Sequence, residues 1–187
     1  MSIEELRIMA TNLRKEGLNS QQIADELSLS QDTIAWLLAG TSGDEKPRDV
    51  HIGWRTIGVR PQRISAIGAI MADVVAEECG DGIDTVVVIS INGVIFAHEV
   101  ASQLGCEVAI HRNVDGAPGK GSLSNKYGQV SGKRIVILST GVTMSRTIES
   151  MRESGAEVAL CMVLVNKTPR NEIDEVPLRG IIRAAVV

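Results

Sequence analysis

Aromatic residues are nearly missing from this sequence: one Phe, one Tyr and two Trp stand among 187 residues, or 2%. A core built without them must pack through Val, Ile, Leu and Ala, and the stacking platforms that read single-stranded nucleic acid or RNA bases are missing too. RNA recognition by stacking is therefore set aside. Long apolar runs are equally scarce. The longest, around Thr85 to Ile91, falls far short of the ~20 residues that cross a bilayer, and the N-terminus opens on Ile3-Glu4-Glu5 rather than on a basic segment leading into an apolar one. Both features point to a cytoplasmic protein without a membrane partner. Cys79, Cys106 and Cys161 are odd in number, far apart and free of any Cys-x-x-Cys spacing, so buried thiols are expected. His51, His98 and His111 are likewise dispersed and read as satisfied structural or surface histidines. No metal and no cofactor is expected.

What is present is globular. Apolar residues make up 44% and charged residues 22%, with a net charge of −4. That composition buries a core, and the length suits one moderate domain with a small appendage.

The appendage lies at the front. Ile3, Leu6, Ala10 and Leu13 recur at helical spacing before Gly17, which supplies a stop. Ser20 is placed to cap a second helix carrying Ile23, Ala24 and Leu27; after a short Ser28-Leu29 turn, Ser30 is placed to cap a third carrying Ile34, Leu37 and Leu38. The run from Ser20 to Leu38 has the form of a helix-turn-helix, with small Ala24 where the helices cross and Leu29 plugging the turn. With Ser30 as the cap, the outward face is expected to show Gln31, Asp32, Thr33 and Ala35. Gln can make a bidentate contact with adenine, and Thr and Ala can meet a thymine methyl, so this face suits double-stranded DNA in the major groove. Charge argues the other way: residues 1–40 hold three basic side chains against six acidic ones, a net of −3, which leaves open a protein-contact module. Residues 41–63, with five basic and three acidic side chains, offset this with +2 and can supply phosphate contacts.

The stretch from Ala39 to Pro47 is rich in turn formers and charge and lacks any period. Expected boundaries are therefore a helix-turn-helix domain over 1–40, a linker and lead-in segment over 41–60, and a larger domain over 61–187. In the larger part the pattern alternates: a helix from Pro61 to near Gly80, a strand over Thr85 to Ile91, a helix through Phe96 to Leu104, strands over Glu107 to His111 and Arg134 to Leu138, a helix through Arg146 to Glu153, and a strand over Glu157 to Val165. Alternation of this kind means an α/β fold, a parallel sheet flanked by helices. Ligands of such sheets sit at the carboxyl ends of strands, so function is sought in the loops after Ile91, His111 and Leu138. The Gly-rich stretch from Asp115 to Ser122 reads as a hood over that edge.

The run from Arg134 to Thr147, containing Ser139-Thr140-Gly141-Val142-Thr143-Met144-Ser145-Arg146, resembles the ribose-5-phosphate signature of type I phosphoribosyltransferases, especially orotate phosphoribosyltransferase. Ser90-Ile91-Asn92-Gly93-Val94-Ile95-Phe96-Ala97 is similar to that family's pyrophosphate loop. With Gly53 to Gly58, the hood from Lys120 to Asn125 and the tail from Ile173 to Leu178, the resemblance covers almost all of residues 50–187. Joined to a helix-turn-helix, it resembles the archaeal GfcR-type regulators of sugar catabolism. This implies a type I phosphoribosyltransferase-like fold with a small N-terminal all-α domain.

The departures from the family pattern bear on chemistry. The family signature carries two adjacent acids that hold the ribose hydroxyls and help manage magnesium and the charge at the anomeric carbon; here Ser139 and Thr140 stand in their place. Neutral hydroxyls supply no anionic ligand to a hard cation and no field for an oxocarbenium-like centre, so no catalytic residue is assigned. Ser145 and Arg146 replace the paired glycines of the phosphate cradle. Anion binding survives, because Thr143, Ser145 and Thr147 place hydroxyls at a helix start, and Arg146 can make a bidentate phosphate contact. The alternative is that Arg146 points into solvent and the hydroxyls cap the helix.

The expected site for a small phosphorylated metabolite therefore comprises Asn92, Gly93, Arg112, Ser139, Thr140, Thr143, Met144, Ser145, Arg146 and Thr147. The expected function is a homodimeric, effector-gated DNA-binding regulator. An active nucleobase phosphoribosyltransferase and a non-catalytic partner subunit of another enzyme remain the alternatives.

Overall fold

A computed structural model describes residues 2–40, 47, 49–113, 121–140 and 144–184, with the side chain of Asn113 outside the description. Three short helices open the chain: α1 (Ile3–Lys15), α2 (Ser20–Leu27) and α3 (Gln31–Ala39). Ser2 and Glu5 cap α1 reciprocally, with Glu4 and Glu5 in its first turn and Arg14 and Lys15 in its last, matching the helix dipole. Asn19, not Ser20, caps α2, because Gln22 three residues on completes a capping box with it. Ser30 caps α3 as its sequence position suggested, accepting from the Thr33 N–H. Between α2 and α3 the chain reverses through Ser28, held at φ 51. Ala10, Ile23, Ala24, Leu27, Leu29, Ile34 and Leu37 close a core that belongs to these helices alone.

The larger body follows as α4 (Arg55–Gly58), α5 (Pro61–Cys79), β1 (Thr85–Val88), a 3₁₀ turn (Ile91–Gly93), α6 (Val94–Leu104), β2 (Glu107–Asn113), β3 (Gly121–Leu123), β4 (Arg134–Ser139), α7 (Ser145–Glu153), β5 (Glu157–Asn166), β6 (Glu172–Ile173) and β7 (Val176–Arg183). Its strands form one sheet in the order β3-β2-β1-β4-β5-β7-β6. The inner five are parallel, and both edge strands run antiparallel to their neighbours. The sheet is thus mixed rather than wholly parallel. At one edge the reason is local: Asp174 and Glu175, at φ 48 and 66, form a two-residue turn that folds β6 directly back on β7.

Helices cover both faces. Val86, Val88, Val136 and Leu138 face Met71, Val75, Phe96 and Val100 of α5 and α6. Val87, Ala109, Ile137 and Val163 face Ile148 and Met151 of α7 on the other side. Burial on both sides explains why these strands read as unbroken apolar runs. Ile52, Trp54 and Ile57 also pack against the first of these clusters, so the chain is anchored on the sheet well before α5 begins.

Local differences from the sequence reading have local causes. β1 stops at Val88, where the chain turns into the 3₁₀ segment. β7 was not anticipated, since Pro177 and Gly180 both argue against a strand interior. Cys161 is buried as expected, but Cys79 and Cys106 are only half-buried.

Candidate functional site

Strand order reverses between β1 and β4: the chain leaves β1 toward β2 on one side, and β4 joins on the other. A crevice opens at the carboxyl ends of such a pair. Ser90, in the loop after β1, and Thr140, just after β4, face each other across it with hydroxyl oxygens 3.5 Å apart. Ser90 and Ser139 are buried. The turn at Gly93 fits only without a side chain, because an added Cβ would lie 2.9 Å from Val88 Cγ2 and 3.0 Å from Ser90 Oγ.

The expected effector residues divide. Ser139, Thr140 and Ser145 line a cavity of about 430 Å³ at this edge. Asn92 and Gly93, in the loop after β1, do not line it. Met144 and Thr147 are buried, Met144 in the core beneath α7, so neither closes the cavity. Arg146 is exposed. Arg112, on β2, donates to Ser124 Oγ at 3.0 Å and does not line the cavity. Thr143 and Lys120 lie outside the described residues, as do Lys46 and Arg48. At the start of α7 the N-cap residue, Met144, makes no side-chain cap bond.

The opposite wall of the cavity comes from the three-helix unit, through Gln21, Asp25, Ser30, Gln31 and Asp32. Main-chain carbonyls at the end of α2 accept from the larger body: Asp25 from Asn92 Nδ2 at 3.2 Å, Leu27 from His51 Nδ1 at 2.8 Å, and Ser28 from Lys167 Nζ at 2.5 Å. Positive and polar donors thus complement the negative end of the α2 dipole. Lys167 also pairs with Asp49 at 3.2 Å.

Among the residues expected on the outward face of α3, Ser30, Gln31, Asp32 and Ala35 are exposed, and Thr33 is not. Thr33 is buried because its hydroxyl meets Ser30 Oγ at 2.8 Å and donates to Asp49 Oδ2 at 2.9 Å. The amide of Gln31 donates to the Gln21 side chain, whose own Nε2 donates to Asp25 Oδ1 at 3.1 Å.

The carboxylates here are tuned in opposite directions. Burial pushes Asp25 up to about 6 against the lowering effect of Gln21. Burial also works to raise Asp49, but the Ser30 N–H, the Lys167 ammonium, the Thr33 hydroxyl and the Val50 N–H together hold it below the ordinary carboxylate value. Away from the cavity, His111 is buried next to Gly121, its pKa lowered by desolvation, and neither ring nitrogen has a partner among the described residues; it is not the satisfied histidine its sequence context suggested. No cluster of metal-ligating side chains occurs among the described residues, and no helix among them is long and apolar enough to cross a membrane.

Residues 53–184 match the family model described as Phosphoribosyl transferase domain. Over its full length the chain is 37% identical to the Transcriptional regulator GfcR of Thermoplasma acidophilum, covering 98% of that protein. It is 36% identical to the regulator of that name from Picrophilus torridus, again over all of this chain and 99% of the other. The chain belongs to the GfcR family of transcriptional regulators. Among solved structures, the orotate phosphoribosyltransferase of Aeropyrum pernix matches with a TM-score of 0.58 at 16% identity, covering 76% of this chain and 83% of that one. The adenine phosphoribosyltransferase of Thermoanaerobacter pseudethanolicus matches with a TM-score of 0.58 at 15% identity, over 76% and 92%. These two likenesses establish the type I phosphoribosyltransferase-like fold of this GfcR-family chain.

Sequence reading missed the residues that join the two parts of this GfcR-family protein: Asp49, His51 and Lys167, together with Thr168 and Arg170 on the cavity wall. One signal pointed to some of them. Lys167 follows β5 at the same edge as the loops after β1 and β4, so the carboxyl-end rule applies to it equally. Nothing in the residues around Asp49 or His51 marks either as a contact.

Proposed function

We propose that this GfcR-family protein is a DNA-binding transcriptional regulator whose phosphoribosyltransferase-like domain senses a small phosphorylated metabolite and does not catalyse. The helices α2 and α3 act as a helix-turn-helix over residues 1–40. In it Gln31, Asp32 and Ala35 present the base-reading face, and Ser30 and Thr33 hold the turn that aims it. Residues 41–60 connect it to the sensor over 61–187. Two copies pair through a homodimer, so that two half-sites about one helical turn or a multiple apart are gripped together.

The observation that carries this reading is the chemistry at the crevice between β1 and β4. It keeps the switch-point geometry of a phosphoribosyltransferase, but its described walls at the end of β4 are the hydroxyls of Ser139 and Thr140. Hydroxyls hold a sugar or a phosphate oxygen by hydrogen bonding, but they cannot assemble a magnesium site or stabilise developing positive charge. Ser145 and the first turn of α7 supply the phosphate end, with Arg146 beside it.

The test is a titration of duplex DNA from the region upstream of the gene, with sugar phosphates, nucleotides and phosphoribosyl diphosphate added one at a time, beside an assay for base-dependent pyrophosphate release. A selective complex that one metabolite alters, with no pyrophosphate released, supports the reading. Pyrophosphate release with a nucleobase would instead make the protein a transferase.

A further inference from the structure

Helix α3 begins with the N–H of its cap residue Ser30 and the hydroxyl of Thr33 already engaged by an anion from the same chain. The Asp49 carboxylate accepts from the Ser30 N–H at 2.6 Å and from the Thr33 hydroxyl at 2.9 Å. Its other oxygen accepts from Lys167 at 3.2 Å. Lys167 in turn grips the Ser28 carbonyl in the turn itself. The Asp49 side chain is only 8% exposed, so this is a seated contact and not a passing surface one.

A helix-turn-helix meets DNA at that turn: the first residues of its second helix approach base edges, while N–H and hydroxyl groups at the helix start bind backbone phosphate. We propose that Asp49 is an intramolecular stand-in for a DNA phosphate, and that Lys167 locks the reading helix against the sheet edge in a state closed to DNA. The observations converge on this. Two donors at the start of α3 that suit a phosphate, the Ser30 N–H and the Thr33 hydroxyl, are taken by a carboxylate. Gln31, the residue best suited to read a base, is committed to Gln21 and faces the cavity with Asp32. Ser30 and Ser28, flanking the turn, are tied to Asp49 and Lys167, so a duplex cannot reach these groups until those bonds open.

This inference rests on the DNA-binding reading and adds a regulatory consequence to it. Thr140 and Ser145 lie on one wall of the cavity and Gln31 on the other, so a molecule that bridges the two walls favours the docked state. Ligand and DNA are then negatively coupled, and by linkage each weakens the other to the same degree.

The experiment compares wild type, Lys167→Ala and Asp49→Asn for binding to a fluorescent duplex from the upstream region at fixed salt. Glu26→Gln serves as a charge control that leaves the lock intact. Lys167→Ala is decisive because it removes a positive charge. As an ordinary phosphate contact, Lys167 would weaken binding on substitution; as the lock, its loss tightens binding, and at least ten-fold is expected. Asp49→Asn should tighten binding by more than Glu26→Gln does. Hydrogen exchange across residues 20–38 verifies that the helices stay folded in each variant, and Asp49→Asn carries the test if Lys167→Ala does not fold. Binding by Lys167→Ala equal to or weaker than wild type, or an Asp49→Asn gain no larger than that of Glu26→Gln, overturns the lock while leaving DNA binding in place. Absence of any complex with wild type and folded variants overturns both.

Discussion

Asn92, in the loop after β1, donates its side-chain amide to the main-chain carbonyl of Asp25, 67 residues earlier, at 3.2 Å. One side chain thus belongs both to the loop after β1 and to the seat of the three-helix unit. Whatever moves the loop after β1 moves a bond to α2. Replacing Asn92 by Ala removes one donor to the end of α2 and should cost about 0.5–1.5 kcal/mol. Hydrogen exchange should show faster exchange in α2 and unchanged protection in β1 and β4. Equal loss of protection in both regions would mean that Asn92 supports the sheet rather than the joint.

The three-helix unit has a core of its own, distinct from the clusters on the two faces of the sheet. Ile34 is fully buried between α3 and its neighbours. Ile34→Ala should destabilise the unit by about 2–5 kcal/mol through lost burial and the cavity left behind. The expected signature is loss of protection over residues 3–38, with the sheet still unfolding cooperatively at its wild-type denaturant midpoint.

Asp25 gives a pH dependence whose sign follows from its burial. The folded chain holds the Asp25 proton more tightly than the unfolded chain, with the pKa raised from 3.8 to about 6. Its contribution to stability is therefore neutral below the lower value, becomes unfavourable as pH rises through this window, and remains so above it. Asp25→Asn should match wild type in unfolding free energy near pH 3 and exceed it at pH 8, by on the order of 1–2 kcal/mol after discounting for partial exposure. Asp49 runs the opposite way, stabilising at neutral pH and losing that contribution on acidification, but it is common to both proteins and cancels in the comparison. A difference that is the same at both pH values would assign the effect to packing.

How much of this was legible in the sequence depends on the range of the interactions involved. Capping at Ser30, the Leu29 plug and the helical spacing of Ile23, Ile34 and Leu37 are contacts within a few residues, and the structure shows each of them. The apolar runs of β1, β4 and β5 reflect burial on two faces, which composition alone reveals. Thr33 was misplaced because helical phase sets its direction only to within a face, and Asp49 draws it inward. The seat of the three-helix unit was not legible. It depends on Asn92, His51 and Lys167, each an isolated polar residue whose partner is a main-chain carbonyl far along the chain. Carbonyl acceptors leave no mark in a sequence.

Gly93 is closely packed in the 3₁₀ turn after β1. A methyl group there would press on Val88 and Ser90, both in the wall between β1 and α6. Gly93→Ala should destabilise the larger body by about 1–3 kcal/mol, read as a lower denaturant midpoint at unchanged slope. An unchanged midpoint would show that the 3₁₀ turn shifts to make room.

The central claim is that this chain reads double-stranded DNA through the first turn of α3. The most direct measurement is the salt dependence of binding to duplex DNA from the upstream region, with a scrambled duplex of the same composition alongside and Gln31→Ala as the variant. Selective binding that weakens linearly in log affinity against log salt is expected. Gln31→Ala is also expected to lose about 1–3 kcal/mol of preference for the upstream duplex while keeping the same salt slope. Equal binding of both duplexes by wild type, or a Gln31→Ala variant as selective as wild type, would contradict the claim.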